Sequence, residues 1–366
     1  MIARRGWLAG VALAALACAG GGSTPAGTPA PAAGAKLYVV NQSGASIAVI
    51  DQQRLAVDTV LDLTKMGFTA NAKPHHIAVE PDGSAWYVSL IGDGRVLKFS
   101  RDNRLLGQVQ METPGLLALD PVHDSLFVGR SMTAVNPPKS LGVIHRTPFR
   151  LVDEQEIVIP RPHALVVTRD GRYVHTASLA ENRIASVEVA TGRVALTSID
   201  GAARSLVQFT IAPDGRTMIA GGELSNTLIA FDPSRAPVPI LRETAVGGKP
   251  WDPVFSRDGS RGYVSLLADN AVAEFDVATG RVLRRFTERL AQPDGVILRA
   301  DGRYLFVANR NTGAAQPGVS GHDMHGMEGQ NANHGWLAII DVASGRTVNT
   351  LMLGASPTGM GAAGAR

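Results

Sequence analysis

The chain has 366 residues, with 35 Lys or Arg, 32 Asp or Glu and a single cysteine. The charges nearly balance and no basic stripe is visible, so the composition argues against a nucleic-acid partner. A single cysteine excludes a disulfide within the chain. Hydrophobic residues make up 45% of the chain, which suffices for a large core, and 40 glycines favour a turn-rich, all-β protein.

Residues 1–17 are predicted to be an export signal peptide. Arg4 and Arg5 precede an apolar run over residues 7–17, which is shorter than the ~20 residues that a membrane-spanning helix needs. The letters "ALAC" at residues 15–18, where this run ends, resemble the bacterial lipobox, which implies that Cys18 is lipidated. The protein would then be anchored in the cell envelope, in the outer membrane or facing the periplasm. An ordinary secretory signal is the alternative, and the two arginines faintly resemble a twin-arginine signal.

The lipidated Cys18 and a flexible linker are predicted over residues 18–36. The linker is built from Gly, Pro, Ala, Ser and Thr, which bury too little apolar area to fold. It would hold a folded domain, predicted over residues 37–363, away from the membrane surface.

An internal repeat organises this domain. Asp-Gly pairs, with "HDS" at residues 123–125 filling one gap, recur every 42 to 46 residues. Each pair lies between two alternating apolar runs, a pattern typical of a β-hairpin. The pairs are Asp82-Gly83, Asp170-Gly171, Asp214-Gly215, Asp258-Gly259 and Asp301-Gly302.

Two further short strands follow each predicted hairpin, and four strands in 40 to 45 residues are typical of a propeller blade. Seven inner-strand segments can be counted. The chain opens on "KLYVVN", which matches a second strand, and ends on "GASPTGMGAAG", which matches a first strand. The sequence therefore predicts a seven-bladed β-propeller, closed by pairing of its N- and C-terminal segments.

The segments "YVVN…SIAVID", "FVAN…LAIID" and "GKPWDPVFSRDG" resemble the YVTN-type β-propeller repeat of bacterial exported proteins. The resemblance covers nearly all of residues 37–363. It implies a propeller fold, and it spans surface proteins, propellers linked to electron transfer and a lactonase branch.

In a propeller, the loops that enter the inner strands lie on one face, and the Asp-Gly turns lie on the other. Proline ends several of these entry loops, so the residues after it are expected at the channel mouth. Strand alternation allows only one of two successive residues to face the channel. Hydrogen-bonded lining or core packing is the alternative role for each candidate. The candidate ligand-binding residues are His75, His76, His163, Trp251, Asp252 and Asp294.

The stretch "SGHDMHGMEGQNANHG" at residues 320–335 is predicted to lie on the same face, between a second and a third strand. Imidazole and thioether donors together suit copper better than calcium or magnesium. An exposed polar loop is the alternative. The candidate metal ligands are His322, Met324, His325, Met327 and His334.

No C-x-x-C-H motif is present, so no covalent haem is expected. The G-x-S-x-G motif of many serine hydrolases is also absent from the sequence. Three functions stay open. The first is a lipid-anchored propeller that binds a small molecule or a protein at the channel mouth, with copper in the His/Met stretch. The second is a lactonase-like or redox enzyme that uses the axial His and Asp residues. The third is a scaffold.

Overall fold

The computed structural model describes residues 35–131, 136, 138–311 and 334–363. Within these ranges the chain forms seven four-stranded antiparallel sheets. The first strand of each sheet contacts the first strands of its two neighbours, and these contacts close a ring around a central channel. The predicted all-β, seven-bladed propeller is confirmed.

Each blade has four strands, ordered from the channel outwards. Blade 1 contains β28 (Pro357–Ala362), β1 (Lys36–Asn41), β2 (Ser46–Asp51) and β3 (Ala56–Asp62). Blade 2 contains β4 (Pro74–Val79), β5 (Ala85–Leu90), β6 (Arg95–Ser100) and β7 (Leu105–Gln110). Blade 3 contains β8 (Pro114–Leu119), β9 (Ser125–Arg130), β10 (Ser140–His145) and β11 (Arg150–Glu156). Blade 4 contains β12 (Pro162–Val167), β13 (Tyr173–Ser178), β14 (Arg183–Glu188) and β15 (Val194–Ser198).

The remaining blades follow the same order. Blade 5 contains β16 (Leu206–Ile211), β17 (Met218–Gly222), β18 (Thr227–Phe231) and β19 (Ile240–Ala245). Blade 6 contains β20 (Pro250–Phe255), β21 (Arg261–Leu266), β22 (Ala271–Asp276) and β23 (Val282–Phe286). Blade 7 contains β24 (Pro293–Leu298), β25 (Tyr304–Asn309), β26 (His334–Asp341) and β27 (Thr347–Ala355). Gln42–Gly44 and Thr64–Met66 are 3-10 turns. Among the described residues no helix is long and apolar enough to cross a membrane.

Blade 1 joins the two ends of the chain, as predicted. Strand β28 pairs antiparallel with β1, and Leu37 lies opposite Ala362 in this register. The blade begins at Lys36, one residue before the predicted start of the domain. Because the last segment supplies the inner strand of the first blade, the ring has no open sheet edge at this point.

In blades 2, 4, 5, 6 and 7 an Asp-Gly pair turns the inner strand into the second strand of the blade. In blade 2 the side chain of Asp82 accepts a hydrogen bond from the Ser84 amide at 2.9 Å, and Gly83 has a φ of 67°. Glycine adopts this left-handed conformation without a steric penalty, which explains its recurrence in the repeat. We call the face that carries these turns the lower face, and the opposite face the upper face.

The apolar core lies between neighbouring blades, in seven clusters of buried side chains. Between blades 1 and 2, the ring of Trp86 stacks on Tyr38 with centroids 4.5 Å apart and on Phe99 with centroids 4.2 Å apart. Such packing holds adjacent sheets face to face and leaves the channel for other side chains.

Candidate functional site

Every blade enters its inner strand through the same backbone conformation. The residue immediately before each inner strand is not glycine, yet it has a φ between 42° and 55°. Proline follows in six blades and Leu206 in blade 5. This left-handed residue turns the chain from the outside of one blade into the channel wall of the next. The seven residues are Lys73, Thr113, Arg161, Ser205, Lys249, Gln292 and Ser356.

A β-bulge follows each of these entry points. In blade 2, Pro74 pairs with Leu90 and Ile77 pairs with Val88, so three steps along β4 match two steps along β5. The inner strands of the other six blades show the same shift. The extra residue interrupts the strand alternation. The expectation that only one of His75 and His76 faces the channel is therefore wrong, because both line it.

These bulges direct polar side chains into a cavity of about 1000 Å³ that runs through the channel. All six residues predicted for the channel mouth line it, and four further polar residues lie among them. We call these ten residues the upper ring: Gln42, His75, His76, His163, Gln208, Trp251, Asp252, Asp294, Arg310 and Thr358.

His76 and Asp252 occupy the same position in their repeats and make the same contact. Nδ1 of His76 accepts a hydrogen bond from the Leu117 amide of the next blade at 3.2 Å. Oδ2 of Asp252 accepts one from the Val296 amide of the next blade at 3.0 Å. Both side chains therefore join neighbouring inner strands, so each has a structural role as a hydrogen-bonded lining residue.

The serines of the second strands support these two bulges. Ser89 Oγ accepts a hydrogen bond from the His76 amide, and Ser265 Oγ accepts one from the Asp252 amide, both at 3.2 Å. Ser265 also donates to the carbonyl oxygen of Asp294 at 2.6 Å. A small hydroxyl side chain at this strand position therefore holds the backbone of the bulged residues in place.

His75 and His163 face each other across the upper ring. Their ring centroids are 5.7 Å apart, and the ring planes meet at 63°. Nδ1 of His163 donates to the Val207 carbonyl at 2.8 Å, and Nδ1 of His75 lies 3.4 Å from Nε2 of Gln42. The Nε2 atoms of both histidines are buried without a hydrogen-bond partner.

Arg310 joins the acidic and aromatic parts of the upper ring. Its guanidinium forms an ion pair with Asp294 and lies 4.9 Å from the centre of the Trp251 ring. Arg310 was not among the residues predicted from sequence. Its position directly after β25, in a loop of the upper face, was the available signal.

Gly359 keeps the inner strands of blades 1 and 2 close together at this level. A Cβ atom at residue 359 would lie 2.2 Å from the carbonyl oxygen of His75. The close approach of β28 and β4 therefore depends on glycine and helps to set the position of the His75 ring.

Burial makes the histidines of the upper ring poor bases. It lowers the pKa of His76 and of His163 to about 4 and holds the pKa of His75 well below 6.5. The positive charge of Arg310 lowers the pKa of His75 and His163 further. All three imidazoles are therefore neutral at pH 7.

Burial acts in the opposite direction on the acids. It raises the pKa of Asp252 to about 7, against the Val296 amide hydrogen bond, and the nearby Asp294 charge adds to the effect. Burial also raises the pKa of Asp294, which Arg310 opposes. The site thus combines neutral imidazoles, a carboxyl group that titrates near neutrality and an Arg–Asp pair.

Of the predicted metal ligands, only His334 lies within the described residues. It begins β26 and pairs with Ala355, so the third strand of blade 7 begins two residues earlier than predicted. His322, Met324, His325 and Met327 lie outside the described residues, as do Cys18 and the predicted signal peptide. In the described ranges no group of three or more His, Cys, Asp or Glu side chains is arranged to hold a metal ion.

No protein-family model and no curated protein sequence matches the chain. Solved structures match its fold. A periplasmic gluconolactonase of Pseudomonas aeruginosa is 19% identical with a TM-score of 0.68, and the match covers 89% of this chain and 98% of that one. A functionally unknown protein of Desulfotomaculum acetoxidans is 15% identical with the same TM-score and the same coverage. Hydrazine synthase of Kuenenia stuttgartiensis is 17% identical with a TM-score of 0.63, over 75% of this chain and 89% of that one.

At sequence identities below 20%, these structural matches show a shared fold alone. The chain is a β-propeller that shares its fold with these solved structures, whose names include a gluconolactonase and a hydrazine synthase. Because proteins with one fold can have different functions, the function has to be inferred from the side chains of the upper ring and not from the fold similarity.

Proposed function

We propose that the protein is an exported, lipid-anchored propeller that binds a small polar ligand at the upper ring. One observation supports this most strongly: buried polar atoms without partners converge there. They are Nε2 of His75, Nε2 of His163, Nε of Arg310 and Oγ1 of Thr358. Buried polar groups are normally hydrogen-bonded, so four such atoms around one cavity indicate a place for a ligand.

The surrounding groups favour a ligand that both donates and accepts hydrogen bonds. A neutral imidazole offers one donor and one acceptor, the Thr358 hydroxyl offers both, and Trp251 supplies an aromatic surface. The Arg310 charge is already paired with Asp294. A hydroxylated compound of low charge therefore suits the upper ring better than a strongly charged one.

The test is a thermal-shift screen of sugar acids, their lactones and polyols on the mature chain. A ligand at 100 times its Kd raises the free energy of unfolding by about 2.7 kcal/mol. Thr358→Val removes one unpartnered hydroxyl from the upper ring with little change of shape, and it should weaken binding at least fivefold. Thr176→Val is the matched control, because Thr176 is also buried with an unpartnered hydroxyl but does not line the cavity. Equal effects of the two variants would refute binding at the upper ring.

Lactone hydrolysis is a second candidate function, favoured by the pKa of Asp252 near 7. A general base works best when its pKa lies near the working pH. The Asp252 carboxylate would take a proton from a water molecule as the water oxygen bonds to the lactone carbonyl carbon. The ring C–O bond would then break and the ring oxygen would take up a proton, which gives the open hydroxy acid. Arg310 is the group that would stabilise the negative charge on the carbonyl oxygen.

D-Glucono-1,5-lactone in a pH-stat assay tests this candidate. Turnover above the uncatalysed rate should rise as the pH passes 7 and should fall at least 100-fold in Asp252→Asn. Asp258→Asn, on the lower face, should leave turnover unchanged. Lactone binding without turnover would support the binding function and exclude hydrolysis of this lactone.

A further inference from the structure

The two unpartnered imidazole nitrogens of the upper ring form a pair. His75 and His163 come from blades 2 and 4, their ring centroids lie 5.7 Å apart, and His163 is 2% exposed. Leaving a buried polar atom without a partner costs free energy. Two such atoms on adjacent rings therefore indicate a group that both nitrogens bind together.

The hydrogen bonds of the other ring nitrogens show which atoms are free to coordinate. The Val207 carbonyl can only accept, so Nδ1 of His163 carries the proton and its Nε2 has a free lone pair. Nδ1 of His75 lies 3.4 Å from Nε2 of Gln42, an atom that can only donate and so places the His75 proton on Nε2. Coordination through Nε2 of His75 therefore requires the Gln42 amide to turn over, so that its oxygen accepts the Nδ1 proton. Metal-binding histidines are commonly oriented by this kind of bond from the far nitrogen to a carbonyl or amide group.

His76 is excluded from the pair by its own hydrogen bond. Its Nδ1 accepts the hydrogen bond of the Leu117 amide, so the proton of the neutral ring lies on Nε2 and that atom is a donor. The described residues offer no third ligand of a metal cluster. The site has two neutral nitrogen donors.

Two neutral nitrogens suit some metal ions much better than others. Zinc sites normally have four ligands, and calcium and magnesium take oxygen ligands. Imidazole nitrogen is a good ligand for copper. The charge of Arg310 lies close enough to lower the pKa of both histidines, and its repulsion of a cation grows with the charge of that cation. A monovalent ion is therefore favoured over a divalent one.

We propose that His75 and His163 bind one copper(I) ion through their Nε2 atoms, as a two-coordinate site at the upper end of the channel. Metal–nitrogen bonds of about 2 Å require Nε2 atoms within about 4 Å of each other, and rings with centroids 5.7 Å apart allow this separation. This inference goes beyond the binding of an organic ligand and does not depend on the His/Met stretch.

The test is copper(I) competition against a chromogenic chelator without oxygen. The mature chain would carry alanine at residues 322, 324, 325, 327 and 334, so that the His/Met stretch contributes none of its candidate His and Met ligands. We expect one copper(I) per chain, and affinity at least 100-fold weaker in His75→Ala and in His163→Ala. His76→Ala is the matched control, because it loosens the same cluster but removes no proposed ligand; it should change affinity less than fivefold.

X-ray absorption gives a readout that does not depend on the stability of the histidine variants. With one equivalent of copper(I), the protein with intact His75, His76 and His163 should show a first shell of two nitrogen atoms and no sulfur. Sulfur in that shell, affinity retained in both ligand variants, or tighter binding of zinc(II) than of copper(I) would each overturn the proposal. If the protein binds an organic ligand at the upper ring but binds no copper(I) there, the copper proposal is refuted and the proposed ligand-binding function is retained.

Discussion

The raised pKa of Asp252 should make the free energy of unfolding depend on pH, so the electrostatics of the upper ring can be tested by stability measurements. The pKa of this carboxyl group is raised from 3.8 to about 7, mainly by burial. Because the folded state holds this proton more tightly than the unfolded state, the stability that Asp252 contributes is lost as the pH rises from 4 to 7. At 1.36 kcal/mol per pH unit, the loss is about 4 kcal/mol above pH 7. Water in the cavity screens the charge, so we expect about 2 kcal/mol.

Asp252→Asn removes this titration and keeps an oxygen that can accept the Val296 amide hydrogen bond. Urea unfolding at pH 4, 6 and 8 should show the variant gaining about 2 kcal/mol relative to wild type between pH 4 and pH 8. The histidines titrate in both proteins, so their contribution cancels in the difference between the unfolding free energies of the variant and the wild type. Asp258→Asn is the control: hydrogen bonds from Ser256 and Ser260 lower the pKa of Asp258, so its relative stability should stay constant over this range. A constant difference for Asp252→Asn would refute the burial argument.

Four further predictions concern the fold and the segments outside the described residues. Trp86→Ala should destabilise the protein by about 3–5 kcal/mol in urea unfolding, since Trp86 fills the space between blades 1 and 2; a loss below about 1 kcal/mol would contradict this packing. Removing residues 357–366 deletes β28 and exposes the β1 edge, so we expect aggregation by size-exclusion chromatography and a broadened thermal transition; a monomer with a sharp transition would refute closure through blade 1. Cys18→Ser should abolish incorporation of labelled palmitate in the producing bacterium, and continued labelling would refute the lipobox. Deleting residues 314–333 should remove a copper-binding event seen in the intact mature chain, and unchanged binding would show that the His/Met stretch is not a metal site.

Much of the upper ring could be predicted because proline marks where each blade enters its inner strand. His75, His163, Trp251 and Asp294 directly follow such prolines, and all of them line the cavity. The regular alternation of side chains along a β-strand could not predict that His76 and Asp252 also line the cavity. The bulge that turns them inwards has no sequence mark of its own, since it depends on pairing with the second strand.

Arg310 shows a second limit of sequence reasoning. It lies next to β25, yet its partners Trp251 and Asp294 are distant in the sequence and come from blades 6 and 7. Its position after β25 indicates the upper face, but no local sequence pattern shows that its side chain pairs with Asp294. The pairing of β24 with β25 and the packing of blade 6 against blade 7 bring the three side chains together.

The sequence by itself determined the blade count, the strand order and the closure of the ring. These features depend on local periodicity, on Asp-Gly turns and on the repeat length, all of which neighbouring residues encode. The tertiary structure alone decided which imidazole nitrogens stay unpartnered, which acid is buried enough to titrate near pH 7 and which arginine is paired. Hydrogen bonding and desolvation at the upper ring depend on atoms from several blades, and the distances between those atoms exist only once the ring has closed.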